Sequence, residues 1–333
     1  MKTTITDVAK QAGVSMKTVS RVLNNEPNVA KSTRERVMAA ASQLQYRPNL
    51  AARGLASSRS YLIALLYDNP NPNYVIQIQR GAIDACRRHG YHLLLEPMTH
   101  AQASSPDAAH QLSRLGVDGV ILTPPLSDSM PLRDEIKKLG LRYVVVAPGD
   151  VGDVPSVRMD DVKAATEMAT YLIDQGHRDI GFILGDPNHV SSHKRREGFE
   201  AAMKSAGLRV NEDWMVPGDF TFRSGVTAAE KLLGDASNRP TAIFASNDDM
   251  AAGVLSVAGR LAIDVPDALS VCGFDNSAIA QIIWPQLTTV AQPIEEMGRK
   301  AAEILLDRSK GEAPDVHTLD FEIIVRDSTG TPD

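Results

Sequence analysis

The sequence predicts an all-α headpiece with a helix-turn-helix, followed by an α/β core of two doubly wound subdomains with parallel sheets. Two observations carry this prediction. Residues 5 to 25 have the pattern of two short helices joined by a tight turn, and apolar runs alternate with amphipathic stretches from residue 61 to residue 275. With 333 residues, the chain has room for both parts.

The helix-turn-helix carries its own start and stop signals. Asp7 can cap the first helix and Gly13 ends it, while Ser15 can cap the second helix. Side chains able to meet base edges in the major groove lie on the outward face of this second helix: Met16, Lys17, Ser20 and Arg21. A helical hairpin with an ordinary solvated face would show the same local pattern, so the residues that follow decide between the two interpretations.

The next segment completes a three-helix domain with a strong positive charge. Ser32 opens a third amphipathic helix over residues 32 to 46, with Glu35 at capping-box spacing. Residues 1 to 60 contain ten Lys and Arg against three Asp and Glu, so this segment carries +7 and the remainder −13 of the net −6. We therefore expect the headpiece to face the phosphates of DNA.

The core repeats the alternation of strand and helix in two series. Strands are expected at 61 to 67, 91 to 97, 119 to 124 and 142 to 148, and then at 179 to 185, 214 to 220, 241 to 247 and 269 to 275. Helices are expected near 74 to 89, 107 to 115, 130 to 139, 161 to 176, 195 to 206, 223 to 234 and 248 to 260. Ligands of such sheets collect at the carboxyl ends of the strands, so the cleft between the two halves is the expected binding site.

Residues 47 to 60 connect headpiece and core. Pro48 ends the third helix, Asn49 can cap a short helix over residues 50 to 57, and Gly54 weakens that helix. A helix of two turns is marginal in water, so we expect it to form when two copies pack together on the minor groove, with Leu55 as the wedge between base steps. A plain flexible linker is the alternative.

Composition argues against several other classes of protein. No apolar run is long enough for a membrane span and the N-terminus is polar, so we expect a cytoplasmic protein. Cys86 and Cys272 suit buried thiols of a reducing compartment.

The sequence has no Gly-rich phosphate loop, GxSxG, HExxH or CxxC pattern, so no enzyme activity and no cofactor are expected. His189 and His193 stand four residues apart, but in an expected loop, and we expect no metal there.

As a set, these segments resemble the lactose/galactose repressor family of bacterial transcription factors. The carriers are TDVAKQAGVSMKTVSRVLN at 6 to 24, YRPNLAARGLAS at 46 to 57, GHRDIGFILG at 176 to 185, RREGF at 195 to 199, FASNDDMAAG at 244 to 253, GFDN at 273 to 276 and PQLTTVAQP at 285 to 293. The resemblance covers the whole chain. It implies a headpiece, a hinge helix and a core similar to periplasmic sugar-binding proteins, with crossovers near 160 and 291 and a return near 320.

The resemblance also implies DNA-binding positions and a domain plan. The positions are Thr6, Ser15, Met16, Lys17, Thr18, Ser20, Arg21, Asn24, Asn28, Lys31, Asn49, Ala52, Arg53 and Leu55. Members often carry an aromatic residue and a glutamine where this chain has Met16 and Lys17, although Lys17 can donate to guanine. The domains implied are a headpiece over 1–47, a hinge over 48–60 and a core over 61–333, with an N-subdomain at about 61–160 and 292–319 and a C-subdomain at about 161–291 and 320–328.

In the core, the family's effector contacts map onto Asn69, Asn73, Tyr74, Arg195, Phe220, Asn247, Asp248, Asp275 and Gln292. Planar polar groups and an aromatic face are what a ring of sugar hydroxyls needs, so a sugar is the expected effector. An acidic sugar or a nucleobase also fits this set. Asp248 has a second interpretation as a helix cap, and Phe220 as a core residue.

The family implies a homodimer that binds a palindromic operator on double-stranded DNA and responds to a small effector. We expect a dimer rather than a tetramer, because no heptad-bearing helix follows the last strand near 319 to 326. Dimerisation should use the helices near 74 to 89 and 107 to 115 and the region 278 to 290. Two alternatives stay open: a regulator of the same family controlled by a protein partner or a non-sugar ligand, and a sugar-binding or transport protein, which the basic headpiece disfavours.

Overall fold

A computed structural model describes residues 3–23, 28–46, 59–105, 107–307 and 315–332. The chain divides into two units, Met1–Tyr61 and Leu62–Asp333, which are considered separately. The proposed hinge helix over 50 to 57 lies outside the described residues, as do five predicted DNA-binding positions: Asn24, Asn49, Ala52, Arg53 and Leu55.

The described part of the headpiece has three helices around a small apolar core. They are α1 (Ile5–Ala12), α2 (Met16–Leu23) and α3 (Lys31–Gln43). Val8, Val19 and Val37, one from each helix, are fully buried together. Gly13 ends α1 at a φ of +63°, a left-handed conformation that glycine adopts without strain. The helix-turn-helix predicted from residues 5 to 25 is therefore present in the structure.

Two of the predicted helix caps are wrong. Thr4, not Asp7, is the N-cap of α1, and Asp7 occupies the third helical position, where its carboxylate accepts a hydrogen bond from the Thr4 backbone at 2.9 Å. The third helix begins at Lys31, so Ser32 is already inside it and its hydroxyl cannot act as the cap. Ala30 holds the cap position and has no side-chain acceptor, so the capping box expected with Glu35 does not form.

The first half of the core is a six-stranded sheet in the order β11-β5-β4-β3-β1-β2, and all its pairings are parallel. Its strands are β1 (Leu62–Tyr67), β2 (His92–Pro97), β3 (Gly119–Leu122), β4 (Arg142–Val146), β5 (Ser156–Arg158) and β11 (Val316–Thr318). Its helices are α4 (Pro72–Arg88), α5 (His100–Ala103), α6 (Ala108–Leu115), α7 (Met130–Lys138) and α13 (Ile294–Leu306), with a 3₁₀ turn at Leu126–Asp128. The central strands are buried because continuous apolar runs need cover on both faces.

The second half is another six-stranded sheet, in the order β12-β10-β9-β8-β6-β7, with only β12 antiparallel among the described pairings. Its strands are β6 (Ile180–Ile183), β7 (Met215–Val216), β8 (Ala242–Ala245), β9 (Ser270–Phe274), β10 (Thr288–Ala291) and β12 (Glu322–Ile324). Its helices are α8 (Asp161–Asp174), α9 (Val190–Ser205), α10 (Phe222–Leu233), α11 (Asp248–Arg260) and α12 (Ala278–Ile282), with a 3₁₀ turn at Glu212–Trp214. The strand expected at 214 to 220 is reduced to two residues.

The chain passes between the two halves three times: from β5 to α8, from β10 to α13, and from β11 to β12. The return helix α13 lies directly on α4, where a Cβ atom at Gly81 would stand 1.8 Å from the Glu295 carbonyl oxygen and one at Gly298 2.1 Å from the Ile78 carbonyl oxygen. Only glycine permits this approach of two helices. The predicted fold class, a helical headpiece with two doubly wound sheets, is confirmed.

Within the described ranges, no helix is long and apolar enough to cross a bilayer.

Candidate functional site

The predicted DNA-contacting residues that are described lie on the headpiece surface, at the start of α2 and around it. Ser15, Met16, Lys17 and Arg21 are exposed. Ser15 caps α2 as predicted, since its hydroxyl accepts a hydrogen bond from the backbone N–H of Thr18 at 3.2 Å. Met16 and Lys17 in the first turn of α2 and Arg21 one turn later are therefore exposed on this helix. Reading of bases in the major groove requires exposed side chains at these positions of the helix.

The remaining described positions extend this face. The Thr6 hydroxyl of α1 donates to the sulfur of Met16 at 3.3 Å, so the two helices meet at the candidate reading surface. Asn28 and Lys31 are exposed before and at the start of α3, whereas Thr18 and Ser20 are half-buried. A methionine here offers an apolar group for a thymine methyl, and Lys17 offers a cation for guanine or phosphate.

The second candidate site is a cleft of about 420 Å³ in the core. Nearly every residue lining it follows the carboxyl end of a strand, in both sheets, as expected for doubly wound folds. The lining consists of Asn69, Asn71, Tyr74, Pro124, Ala147, Asp161, His189, Ser191, Arg195, Phe220, Asn247, Asp275 and Gln292.

Arg195 occupies the second half's side of the cleft and is held firmly. It projects from α9, and its Nε donates to Asp161 Oδ1 at 3.0 Å while Nη1 donates to the Ser246 carbonyl at 2.5 Å. Both charged side chains are only 5% exposed. The guanidinium also stacks on Phe274, with Cζ 3.7 Å from the ring centroid. The orientation of Arg195 is therefore fixed before any ligand arrives.

Asp275 joins the two halves of the core. It follows β9 and adopts a φ of +120°, and its carboxylate accepts hydrogen bonds from Asn71 Nδ2 at 3.2 Å and from Gln292 Nε2. Burial raises the pKa of Asp275 to about 7, although Arg195 and the Gln292 hydrogen bond act to lower it. A carboxyl group in a cleft with a pKa near 7 is a candidate ligand contact.

Aromatic rings form the apolar part of the cleft. Phe220 has a φ of +67°, which turns its ring toward His189, 5.3 Å away in an edge-to-face arrangement. The backbone carbonyl of Phe220 accepts a hydrogen bond from Asn247 Nδ2 at 2.9 Å, and Asn247 also caps α11. Burial lowers the pKa of His189 to about 4, so its ring is neutral.

One buried hydroxyl in the cleft has no partner among the described residues. Tyr74, near the start of α4, is 8% exposed and its OH makes no hydrogen bond. Burial raises the pKa of this phenol. A buried polar group without a partner carries a free-energy penalty that a ligand hydroxyl would remove.

Seven of the nine predicted effector contacts line the cleft, and two do not. Asp248 is fully buried behind it, where its carboxylate accepts hydrogen bonds from Thr289 Oγ1 at 2.5 Å and from the backbone N–H of Ser277 at 2.7 Å. Asp248 thus ties β10 to the loop after β9. Asn73 instead forms a side-chain hydrogen bond with Asp249. Burial raises the pKa of Asp249, and this hydrogen bond acts to lower it.

Four polar residues of the cleft were not predicted from the sequence: Asn71, Asp161, His189 and Ser191. Two of them carried usable signals. Asn71 precedes Pro72 and caps α4 through a hydrogen bond from Asn73 N at 2.9 Å, and Asp161 follows a strand directly. The other two were hidden by the expected loop at residues 189 to 193, because α9 begins at Val190, five residues earlier than predicted.

The two histidines of that segment are far from equivalent. His189 is buried against Phe220, whereas His193 is exposed and its Nε2 lies 2.9 Å from the Pro187 carbonyl. The described residues contain no cluster of three or more His, Cys, Asp or Glu side chains suited to a metal ion.

Comparison with known proteins gives a family match for each of the two parts of the chain. Residues 4–49 match the family described as "Bacterial regulatory proteins, lacI family", and residues 169–329 match the "Periplasmic binding protein-like domain". The catabolite control protein A of Priestia megaterium is 35% identical over 99% of this chain and 100% of its own length.

Two solved structures extend the comparison to bound states. The transcriptional regulator CelR–cellobiose complex is 31% identical with a TM-score of 0.74, covering 98% of this chain and 100% of that one. The lac repressor dimer bound to operator and the anti-inducer ONPF is 25% identical with a TM-score of 0.83, covering 99% and 100%. The chain belongs to the lacI family of bacterial regulatory proteins and is a DNA-binding transcriptional regulator with a periplasmic-binding-protein-like core.

Proposed function

We propose that this chain represses transcription as a homodimer on a palindromic operator and that a sugar bound in the core cleft controls its affinity for that operator. The observation that carries the proposal is the cleft itself, where planar polar groups surround an aromatic ring and the buried Tyr74 hydroxyl has no hydrogen-bond partner within the described part of the chain. Two structural relatives support it, one with bound cellobiose and one with bound operator.

The chemistry of the cleft suits hydroxyl groups. Each sugar hydroxyl both donates and accepts, and Asp275, Asn247 and Gln292 provide acceptors and donors around the ring. Phe220 provides an apolar surface for the C–H face of a pyranose or furanose. We propose that the core binds this ligand without converting it and that the protein works in the cytoplasm, where its DNA target is.

Pairing of two copies is proposed to use the region around α12. Ile282, the last residue of α12, is 80% exposed, and Trp284, two residues further along the chain, is 81% exposed. Ile76 on α4 is a third exposed apolar residue, 53% accessible, within the predicted dimer surface. Apolar side chains of this size are costly to leave in water and are typical anchors of interfaces.

Ligand control is proposed to act through the relative orientation of the two core halves. The halves already contact each other through Asn71 and Asp275, and through Lys194, whose Nζ donates to the Pro148 carbonyl at 3.1 Å. A ligand that contacts Arg195 from one half and Tyr74 from the other favours the closed arrangement. That bias would reach DNA because the headpiece segment leaves from the N-terminal half of each subunit.

The test is a thermal-shift screen of the full chain against monosaccharides and disaccharides, followed by operator titrations with and without each hit. A ligand at 100 times its Kd raises stability by about 2.7 kcal/mol, which is readily seen. We expect at least one sugar to stabilise the protein and to change operator affinity. Stabilisation by no sugar would favour a protein partner or a non-sugar ligand, and stabilisation without an effect on DNA would refute control through the cleft.

A further inference from the structure

We propose that the cleft selects an uncharged, polyhydroxylated ligand and rejects phosphorylated or carboxylated sugars, because Asp161 already neutralises the guanidinium that faces the ligand. The inference rests on the proposed function, since it specifies the chemical class of the same effector.

The first step is the charge of Arg195. Among the described residues that line the cleft, Arg195 is the only permanently charged cation. Its Nε is engaged by Asp161 at 3.0 Å and its Nη1 by the Ser246 carbonyl at 2.5 Å, and Phe274 covers its face. A guanidinium has five N–H donors, so Nη2 still offers hydrogen bonds to a ligand. The charge, however, is balanced within a pair that is almost completely buried.

The second step is the lack of any further positive charge. Asp275 lines the cleft beside this neutral pair, and its pKa of about 7 leaves it partly ionised at neutral pH. His189 adds no positive charge, because burial lowers its pKa to about 4. The cation Lys194 on α9 points to the Pro148 carbonyl and does not line the cleft.

These charges decide which ligand class can be bound. A phosphate or carboxylate would lose its hydration and meet the Arg195–Asp161 pair and the partly ionised Asp275 with no uncompensated cation to receive it. A hydroxyl meets the same groups favourably, because it donates to the carboxylates and accepts from Arg195 Nη2. The arrangement therefore favours neutral ligands through Asp161, which acts as a positioning and charge-balancing residue for Arg195.

The test compares matched pairs of probes by isothermal titration calorimetry on the full-length protein. The pairs are glucose with glucuronate and with glucose 6-phosphate, galactose with galacturonate, and ribose with ribose 5-phosphate. In the wild type, we expect the neutral member of any pair that binds to be preferred at least tenfold. This corresponds to about 1.4 kcal/mol.

The variant Asp161→Asn keeps the shape of the side chain and an acceptor for Arg195 but removes the balancing charge. It should lower the preference for the neutral member at least tenfold. Asp160→Asn is the matched control: it removes one negative charge from the adjacent, exposed residue, and asparagine can keep the α8 cap that Asp160 forms with Lys163 N at 2.9 Å. This control should keep the wild-type preference.

The outcomes separate this inference from the proposed function. Preferential binding of the anionic member by the wild type would overturn the inference while leaving a sugar effector intact. An unchanged preference in a folded Asp161→Asn protein would overturn the role of Asp161. If Asp161→Asn does not fold, the wild-type preference alone decides. Binding of none of these probes or of the disaccharides would overturn the sugar assignment and this inference with it.

Discussion

Asp275 holds its proton more tightly in the folded protein than in the unfolded chain, because burial raises its pKa from 3.8 to about 7. The stability contributed by this protonation is fully present below 3.8 and is lost as the pH rises through about 7. We expect the unfolding free energy to fall by up to about 1.4 kcal/mol per pH unit between these values.

Chemical denaturation at several pH values measures this dependence. Asp275→Asn should make it shallower, whereas Asp160→Asn, at an exposed position, should keep the wild-type slope. A slope unaffected by Asp275→Asn would mean that Asp275 is ionised throughout.

Arg21 and Lys31 separate base reading from phosphate attraction in the headpiece. Replacing Arg21 with Ala should weaken operator binding by about 1 to 3 kcal/mol and relax the preference at one base pair of each half-site. Lys31→Ala should weaken binding to all sequences more evenly and reduce the salt dependence. Competition titrations with operator and random DNA give both ratios; an unchanged ratio for Arg21→Ala would show that α2 is not the reading helix.

At the scale of single elements, the N-terminal ends of α1 and α3 differ: a threonine side chain caps α1, and no side chain caps α3. Thr4→Ala should destabilise the headpiece by about 1 kcal/mol, because the Thr4 hydroxyl accepts a hydrogen bond from Asp7 N. Ser32→Ala should have little effect, since Ser32 caps nothing. Hydrogen exchange of headpiece amides in the full chain measures both. Equal losses in the two variants would contradict the assigned caps.

The elements also show what the sequence could and could not predict. Buried central strands such as β3 and β8 were found where apolar runs predicted them, because burial on both faces leaves a continuous apolar signature. The edge strand β11 and its neighbour β5 have three residues each and no such signature. Their existence depends on pairing with distant segments rather than on local pattern.

The same distinction holds within the cleft. Residues that follow long strands, such as Asp275, could be placed there from the fold and the family resemblance. Asp248 could not be excluded in advance, because its burial depends on partners at Ser277 and Thr289, which are distant in sequence. His189 was missed because the start of α9 lacks a side-chain cap that would have marked it.

At the scale of the whole molecule, the oligomeric state should depend on Trp284. Trp284→Glu places a charge in the proposed dimer surface and should raise the dimer dissociation constant at least tenfold, which is about 1.4 kcal/mol. Met130→Glu is the matched control at another exposed apolar residue, 55% accessible and outside the proposed surface. Sedimentation velocity over a concentration series measures both; a tetramer in the wild type, or equal effects of the two changes, would refute the proposed pairing.

Cleft and operator should influence each other by equal factors. If a sugar changes the affinity for the operator by a certain factor, the operator must change the affinity for the sugar by the same factor. Asp275→Ala should abolish the effect of the sugar on DNA while sparing DNA binding, as measured by operator titrations with and without the sugar. A full response in this variant would make Asp275 a structural residue only.

The closing strands of both sheets have a consequence for how the protein is made. β11 completes the first sheet at residues 316–318 and β12 the second at 322–324, after every other element has left the ribosome. The headpiece is synthesised first and has its own buried core. During translation, a nascent chain thus carries all three headpiece helices, which end at Gln43, long before β11 begins at Val316 and either core sheet is finished. With the proposed pairing through the core, we expect a nascent chain to contact DNA with a single headpiece, and paired binding to begin only after both sheets are complete.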